Sequence, residues 1–118
     1  VNVLPLTLDT ENILNRDTLA KLRPGAYVIN VARGAHLVDA DLLALLDSGH
    51  LAGATLDVFR TEPLPAEHPF WQHRCITVTP HTSARTLRDE SVAQIAGKIR
   101  ALERGESITG VVDPVRGY

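Results

Sequence analysis

The sequence predicts an α/β fold built around a parallel sheet, and two observations carry this prediction. Short apolar runs rich in β-branched residues alternate along the chain with amphipathic stretches of helical length. A single amphipathic stretch separates each of the first three apolar runs from the next. Two parallel strands need a crossover connection between them, and this is normally a helix. Strands joined by single helices therefore favour a parallel sheet with helices packed against it.

Four apolar runs have the composition of strands. The first ends at Pro5, which lacks the backbone N–H that a strand ladder uses. The others are enriched in β-branched or aromatic residues, as strands are. The predicted strands are Val1 to Leu4, Ala26 to Ala32 (AYVINVA), Ala54 to Phe59 (ATLDVF) and Cys75 to Thr79 (CITVT).

Two short helices are predicted between the first three strands. Asn15 is the predicted N-cap of the first, which ends at the Pro24-Gly25 pair because proline and glycine terminate helices. Asp39 is the predicted N-cap of the second, which covers Leu42 to Leu46 and is closed by Gly49. The predicted order of these elements is βαβαβ.

A long amphipathic helix is predicted after the fourth strand, from about Thr86 to Arg104. Thr86 and Asp89 have the spacing of a capping box at its start. The tail from Gly105 to Tyr118 has weak periodicity, so we expect it to be extended. The apolar residues at helical spacing are Val92, Ile95, Ala96, Ile99 and Leu102.

The composition indicates a compact globular domain. Of the 118 residues, 44% are apolar, and the net charge of −2 leaves no positive field that would favour nucleic acid or an anionic membrane. No apolar run approaches the ~20 residues that cross a bilayer, and no signal peptide is recognisable. The single cysteine, Cys75, excludes an internal disulfide and favours a cytoplasmic location. Because the chain starts at Val1 and contains no methionine, we expect it to be part of a longer polypeptide.

Four unusual polar residues follow the carboxyl ends of predicted strands. Arg33 comes directly after AYVINVA, Asp57 lies near the end of ATLDVF, and Glu62 follows a few residues later. His81 comes directly after CITVTP. In an open α/β sheet, ligands bind in the crevice outside these strand ends, so we expect the four side chains to converge on one site.

The chemistry of these side chains fits the binding and reduction of a 2-oxo acid. Arginine offers a planar fork that holds a carboxylate by two hydrogen bonds, and histidine exchanges protons near neutral pH. A carboxylate at Glu62 in contact with His81 would favour the charged imidazole and fix its tautomer. Such a ring is a competent acid for a carbonyl oxygen that gains negative charge.

Each of these residues also has a purely structural interpretation. Arg33 could be a solvated turn residue, Glu62 an ordinary loop charge, and His81 a helix cap. Asp57 resists such an interpretation, because an acid inside an apolar strand is costly unless it is paired. The occurrence of all four together favours a functional site.

Across nearly its whole length, the sequence resembles the D-isomer-specific 2-hydroxyacid dehydrogenases. The matching stretches, in the family's order and spacing, are LPLTLDTENILN, GAYVINVARGAHLVDADLLALLDSGHLAGATLDVFRTEPLP, HPFW and ITVTPHTSA. HPFWQH and the ending GVVDPVRGY resemble the glyoxylate and hydroxypyruvate reductase branch most. The resemblance implies half of a doubly wound, Rossmann-like parallel sheet with flanking helices and a long C-terminal helix. Residues 1–84 would be the second half of the NAD(P)-binding domain, and 85–118 the helix and tail that return to the substrate-binding domain.

The resemblance also implies a function, namely reduction of small 2-oxo acids such as glyoxylate or hydroxypyruvate by a homodimer. Arg33 would bind the substrate carboxylate, His81 would act as general acid, and Glu62 would orient His81. Asp57 would hold the nicotinamide side, and Trp71 would wall the substrate pocket or anchor its loop. The cofactor, NAD or NADP, would contact Leu4, Pro5, Val31, Ala32, Arg33, Asp57, His81, Ser83 and Ala84.

One family feature, the glycine-rich turn G-x-G-x-x-G that holds the pyrophosphate, is absent from the sequence. The residue about 20 positions later that contacts the ribose is absent too, so NAD and NADP are both left open. A sheet of about four strands also has an unpaired edge, which invites association. We expect the 118-residue chain alone to have weak or no dehydrogenase activity, with self-association or a partner supplying the missing edge.

Alternatives to an enzyme segment are an inactive fragment, a non-catalytic module and a metal site. A ligand-sensing or interaction module, as in the family's co-repressor branch, would have little need for Arg33, Glu62 and His81 together. A metal site would have to use the five histidines, whose separations match no standard zinc pattern, so no metal is expected. They are His36, His50, His68, His73 and His81.

Overall fold

The computed structural model describes residues 1–84 and 86–115. The chain divides into two compact units, Val1–Ser83 and Ala84–Tyr118. The assignment of residues 1–84 to a nucleotide-binding half-domain, and of 85–118 to a segment that returns to another domain, stays a prediction. The predicted tail includes residues 116–118, which lie outside the described part of the chain.

The first unit contains a three-stranded parallel sheet, which confirms the predicted α/β fold class. The strand order is β1-β2-β3, so each strand pairs with the next strand along the chain. The elements are α1 (Arg16–Leu19), β1 (Ala26–Asn30), a 3₁₀ helix (Gly34–His36), α2 (Asp39–Asp47), β2 (Leu51–Leu56), a 3₁₀ helix (Pro69–Trp71) and β3 (Ile76–Val78).

The predicted strand at Val1 to Leu4 is wrong. Only Asn2 pairs with the sheet, through a single parallel bridge to Asn30. The Leu4 N–H donates to the side-chain Oδ1 of Asn2 at 3.2 Å instead of to a neighbouring strand. The ladder therefore stops at this bridge.

The other predicted strands are present with shifted ends. β2 begins and ends three residues before the predicted range, Ala54 to Phe59. Beyond its end, the Phe59 N–H donates to the Glu62 carboxylate at 2.8 Å. β1 stops before Ala32, whose N–H donates to the Asn30 side chain at 3.2 Å. In both cases a side chain replaces the neighbouring strand as the partner of a backbone N–H.

The two helix starts in this unit differ in how they are capped. Asn15 caps α1 as predicted, because its Oδ1 accepts a hydrogen bond from the Thr18 N–H at 3.2 Å. The prediction that Asp39 caps α2 is wrong, since Val38 is the N-cap and no side chain caps the helix. The Asp39 carboxylate lies 3.5 Å from His68 Nε2, so it connects α2 to the long loop after β2.

The core of the first unit lies between the helices and the sheet. Burial of each leucine or phenylalanine side chain stabilises the fold by about 1.5–3 kcal/mol. Phe70, in the 3₁₀ helix Pro69–Trp71, anchors the long loop after β2 in this core. The cluster consists of Leu19, Val28, Leu37, Leu42, Leu45, Leu46, Leu51, Ala54, Leu56 and Phe70.

A close approach between two loops shapes the carboxyl edge of the sheet. A Cβ atom at Gly34 would lie 1.9 Å from the carbonyl carbon of Phe59, so the approach requires glycine. Nη2 of Arg60 donates to the carbonyl oxygens of Ala35 and Leu37, both at 3.0 Å. The loop after β1 and the loop after β2 are therefore held together.

The second unit contains one helix, α3 (Arg88–Glu103), among its described residues. The predicted capping box at Thr86 and Asp89 is wrong, because Leu87 is the N-cap and no side-chain hydrogen bond caps the helix. None of the residues of α3 is buried. Residues 104–115 contain no helix or strand, in agreement with the predicted extended tail.

Candidate active site

The carboxyl ends of the three strands meet at one edge of the sheet. Asn30 of β1 pairs with Leu56 of β2, which in turn pairs with Val78 of β3. Because the strands are parallel, the chain leaves the sheet on the same side after each of these residues. The segments that begin there carry the predicted site residues Arg33, Asp57, Glu62 and His81.

Glu62 and His81 are in direct contact. Oε2 of Glu62 lies 2.8 Å from Nδ1 of His81, and the two side chains are 36% and 49% exposed. The other oxygen, Oε1, accepts a hydrogen bond from the Phe59 N–H at 2.8 Å. The hydrogen bonds from His81 and from the Phe59 amide hold the pKa of Glu62 below its ordinary value. The carboxylate is thus fixed at both oxygen atoms.

The backbone of His81 has a left-handed conformation, with φ +53°. Its N–H donates to the carbonyl oxygen of Thr79 at 3.1 Å. A non-glycine residue in this region costs about 1–2 kcal/mol, and such residues concentrate at functional sites. The turn therefore supports a functional interpretation of His81 over a simple helix cap, and α3 begins only at Arg88.

Asp57 is 1% exposed and is enclosed by hydrogen-bond donors. Its Oδ1 accepts from the Thr79 hydroxyl and from the Thr82 N–H at 2.9 Å, and its Oδ2 accepts from the Ser83 N–H at 2.9 Å. Burial alone would raise the pKa, but the interactions with Ser83, Thr79 and Thr82 outweigh it and hold the pKa far below 3.8. Asp57 therefore stays ionised and joins the end of β2 to the segment after β3.

Arg33 is exposed at the carboxyl end of β1. Its Nη1 donates to the carbonyl oxygen of Ala32 at 2.6 Å, and its own carbonyl oxygen accepts from the Asn30 side chain at 3.2 Å. Within the described residues, its guanidinium forms no hydrogen bond or ion pair with Glu62 or His81. Most of its N–H groups are therefore available to a ligand.

A cleft of about 430 Å³ lies against the Glu62–His81 pair. This volume is within the usual range for small-molecule sites. Trp71 is half exposed on the cleft wall, and its indole N–H donates to the Pro65 carbonyl oxygen at 2.9 Å, so it both lines the cleft and anchors the loop. The lining residues are Phe59, Glu62, Pro63, Leu64, Trp71, Val78, Pro80 and His81.

Comparison with known families identifies the family of this chain. The model of the D-isomer specific 2-hydroxyacid dehydrogenase, NAD binding domain, matches residues 1–83. The chain belongs to this family. The predicted resemblance is therefore confirmed, and the predicted NAD or NADP cofactor class agrees with the family's description as an NAD binding domain.

Individual members of the dehydrogenase family are similar over the whole chain. The glyoxylate/hydroxypyruvate reductase A of Serratia proteamaculans (strain 568) is 57% identical over 118 residues, which are 100% of this chain and 38% of that protein. The reductase A of Yersinia enterocolitica is 50% identical over the same share of each chain. The chain thus spans 38% of the length of these curated relatives.

Solved structures of family members share the fold. A D-isomer specific 2-hydroxyacid dehydrogenase from Xanthobacter autotrophicus Py2, in complex with NADPH and MES, is 46% identical with a TM-score of 0.93 over 98% of this chain and 48% of that one. An NADPH-dependent glyoxylate/hydroxypyruvate reductase from Sinorhizobium meliloti, in complex with NADP and sulfate, is 44% identical with a TM-score of 0.92 over 98% of this chain and 38% of that one. The Rossmann-like character of the half-sheet is confirmed.

The residues that the dehydrogenase resemblance assigns to the cofactor leave the sheet at the same edge as the Glu62–His81 pair. Leu4 and Pro5 follow the Asn2 bridge, and Val31 and Ala32 follow β1. Ser83 follows β3, and Ala84 begins the second unit.

The residues that the resemblance assigns to the cofactor would suit its nicotinamide end and not its phosphates. Leu4 and Val31 offer apolar surface, and the enclosed Asp57 holds the neighbouring Ser83 in place. The phosphates would need the N–H donors of a glycine-rich turn, which this sequence lacks. The assignment of Asp57 to the nicotinamide itself stays a prediction.

Within residues 1–84 and 86–115, no group of three or more histidine, cysteine or acidic side chains is arranged to hold a metal ion. In the same part of the chain, no helix combines the length and apolarity that a bilayer crossing demands.

Sequence reasoning missed several residues that support the site. Asn2 and Asn30 are buried polar residues in apolar runs, which is the same signal that singled out Asp57. Arg60 gave no signal, because a charged residue in a polar loop is ordinary. Its contacts across two loops are visible only in three dimensions.

Proposed function

We propose that this chain carries the acid–base pair and the carboxylate-binding arginine of an NAD(P)H-dependent reductase of small 2-oxo acids. The contact of 2.8 Å between Glu62 and His81, at a cleft beside the strand ends, supports this most. Family membership supports the reaction class, and the names of the relatives support glyoxylate and hydroxypyruvate as substrates. Because the chain spans 38% of those relatives, the reaction is proposed for the full-length polypeptide that contains it.

In this proposal His81 donates the proton during reduction. Glu62 binds Nδ1, so the proton to be transferred sits on Nε2, on the other side of the ring. Nε2 has no hydrogen-bond partner among the described residues. A charged imidazole gives this proton to the carbonyl oxygen as negative charge develops there, and in the reverse direction the neutral Nε2 accepts the hydroxyl proton.

Glu62 acts as a positioning residue for His81. Its two oxygen atoms have different partners, the Phe59 N–H and the imidazole, which restrains rotation of the carboxylate. The lowered pKa keeps it ionised at neutral pH, and its charge then stabilises the imidazolium. The pair therefore fixes the orientation of the His81 ring and leaves its Nε2 atom free for the substrate.

Arg33 binds the substrate carboxylate in this proposal. Its guanidinium is exposed and donates to the Ala32 carbonyl oxygen at 2.6 Å. A bidentate contact with a carboxylate would be charge-assisted and stronger than this hydrogen bond to a neutral carbonyl. Arg33 does not line the cleft itself, so we place the substrate carboxylate toward the β1 side of the cleft.

The cofactor, when bound, supplies hydride to the carbonyl carbon. We propose that Leu4, Pro5, Val31 and Ala32 contact its nicotinamide end, together with Ser83 and Ala84. The two solved relatives that contain NADPH or NADP, at 46% and 44% identity, support NADPH over NADH.

The test is an oxidation assay with the full-length polypeptide. NADPH and NADH are each combined with glyoxylate and with hydroxypyruvate, and absorbance of the reduced cofactor is followed. We expect turnover with NADPH and either acid. Replacement of His81 by Gln should lower kcat by about 100- to 10,000-fold, since general acid catalysis contributes that much.

His73→Gln is the matched control, because His73 pairs with Asp47 at 3.2 Å and does not line the cleft. Its kcat should stay near that of the wild type. No turnover of either acid by the wild type, or wild-type turnover by the His81 variant, would overturn the proposed function.

A further inference from the structure

Three buried polar side chains outside the Glu62–His81 pair contact one another in the first unit. Asn2 forms the single bridge to β1, Asn30 ends β1, and His36 lies in the 3₁₀ helix Gly34–His36. All three are buried. Buried polar groups are costly unless they are hydrogen-bonded, so their partners define how the surrounding chain is held.

The orientation of the Asn2 amide follows from its neighbours. The Leu4 N–H donates to Oδ1 at 3.2 Å, which identifies that atom as the oxygen. Nδ2 therefore faces Oδ1 of Asn30 at 3.0 Å and Nδ1 of His36 at 2.9 Å. Both of these atoms must accept.

The tautomer of His36 is then determined. Because Nδ1 accepts from the Asn2 amide, it carries no hydrogen, and the ring hydrogen is on Nε2. Nε2 lies 3.2 Å from the carbonyl oxygen of Pro5, which only accepts. The two contacts of the ring thus agree on one protonation pattern.

Asn30 extends the network toward Arg33. Its Oδ1 accepts from Asn2 and from the Ala32 N–H at 3.2 Å. Its Nδ2 donates to the carbonyl oxygen of Arg33 at 3.2 Å. The contact with Asn2 and the contacts with Ala32 and Arg33 therefore require the same orientation of the Asn30 amide.

We propose that Asn2, Asn30 and His36 are positioning residues that hold the Leu4–Pro5 segment and the backbone of Arg33 in one fixed relation, with His36 as the Nε2–H tautomer. The functional role of these two sites rests on the proposed function, in which the Leu4–Pro5 segment contacts the nicotinamide and Arg33 binds the substrate carboxylate. The network does not include Glu62 or His81. Its loss therefore weakens binding of cofactor and 2-oxo acid more than it slows proton transfer.

The tautomer is measured first, on the full-length wild type with ¹⁵N-labelled histidine. Long-range proton–nitrogen spectra should show, for the signal that disappears in His36→Leu, a protonated Nε2 and an unprotonated Nδ1. A protonated Nδ1 would overturn the proposal. This readout does not depend on whether the protein turns over any 2-oxo acid, so it separates failure of the network from failure of the proposed function.

Binding and turnover are measured next. Asn30→Ala should raise KM for glyoxylate about tenfold with little change in kcat, and His36→Leu should raise the Kd for NADPH about tenfold, since each leaves a buried group without its partner. His36→Gln keeps a donor near the Nε2 position and should restore part of the NADPH affinity.

Asn15→Ala is the control for nonspecific destabilisation. Asn15 caps α1 and has no contact with the network, so its loss should lower the melting temperature without changing KM or Kd. Unchanged KM and NADPH affinity in folded Asn30→Ala and His36→Leu variants would overturn the positioning role.

Discussion

Two carboxylates near the cleft are held by different interactions, and this gives them different sensitivity to acid. Asp57 is 1% exposed and accepts hydrogen bonds from Thr79, Thr82 and Ser83 in the segment after β3. Glu62 is 36% exposed and depends on one imidazole and one amide. We therefore expect Asp57 to stabilise the fold and Glu62 to orient the ring of His81.

The substitution Asp57→Asn should change how the stability of the fold depends on pH. The folded pKa of Asp57 lies far below 3.8, so the ionised form stabilises the fold above that pH, and the stabilisation is lost as pH falls below it. At neutral pH the variant should be less stable by about 1.5–3 kcal/mol, because hydrogen bonds to a charged group are weakened. Denaturant unfolding at several pH values measures this.

The difference in the free energy of unfolding between wild type and Asp57→Asn should be constant near neutral pH. It should shrink as the solution becomes more acidic than pH 3.8. A difference that is independent of pH down to that range would contradict the assigned cause. The pKa of Glu62 is also lowered, so its ionised form stabilises the fold in the same direction. Because Glu62 is exposed, solvent screens most of this contribution to stability.

At the scale of elements, side chains decide where strands end. The strands were predictable because β-branched runs are easy to recognise, and β1 to β3 lie close to the predicted positions. Their ends were not, because the N–H groups of Leu4, Ala32 and Phe59 donate to side chains of Asn2, Asn30 and Glu62. A sequence pattern does not say which side chain will capture a backbone donor.

The close contact between the two loops at Gly34 should not tolerate an added side chain. In Gly34→Ala, the new Cβ would overlap the backbone of Phe59 and Arg60, which displaces the loop that carries Arg33. Overpacking of this kind costs about 1–3 kcal/mol. The variant should unfold at lower denaturant concentration and should bind the 2-oxo acid more weakly.

Gly97→Ala is the matched control, because Gly97 lies in α3 and its Cβ would meet no atom within 4 Å. Alanine is favoured over glycine in helices by about 1 kcal/mol, so this variant should be unchanged or slightly more stable. Equal effects of the two substitutions would contradict the importance of the loop contact.

At the scale of the whole molecule, the convergence of the site follows from parallel topology. Parallel strands place Arg33, Glu62 and His81 at one edge, and the predicted contact between Glu62 and His81 is present. The sequence could not indicate that Arg33 would be bonded to Ala32 instead of facing the pair.

Among the described residues, neither outer edge of the sheet has a full neighbouring strand. The outer side of β1 meets the single Asn2 bridge in that part of the chain. Apolar side chains beside that edge are exposed, and such edges favour association. They include Val1, Val3, Leu22 and Tyr27.

We therefore expect the 118-residue chain, when produced alone, to self-associate and to show weak or no reduction of 2-oxo acids. Sedimentation velocity over a range of concentrations, together with the NADPH oxidation assay, checks both parts. A chain that stays monomeric at every concentration and turns over rapidly would contradict this expectation. The predicted dimer of the full-length protein and its cytoplasmic location stay predictions.

The coupling of Glu62 to His81 is the central claim, and a double-mutant cycle on the full-length protein tests it most directly. Values of kcat/KM for glyoxylate are measured for the wild type, Glu62→Gln, His81→Gln and the double variant. If Glu62 acts only through the imidazole, the double variant will be no slower than His81→Gln alone. If the two losses instead multiply, the carboxylate works independently of the ring, and the account of the site is wrong.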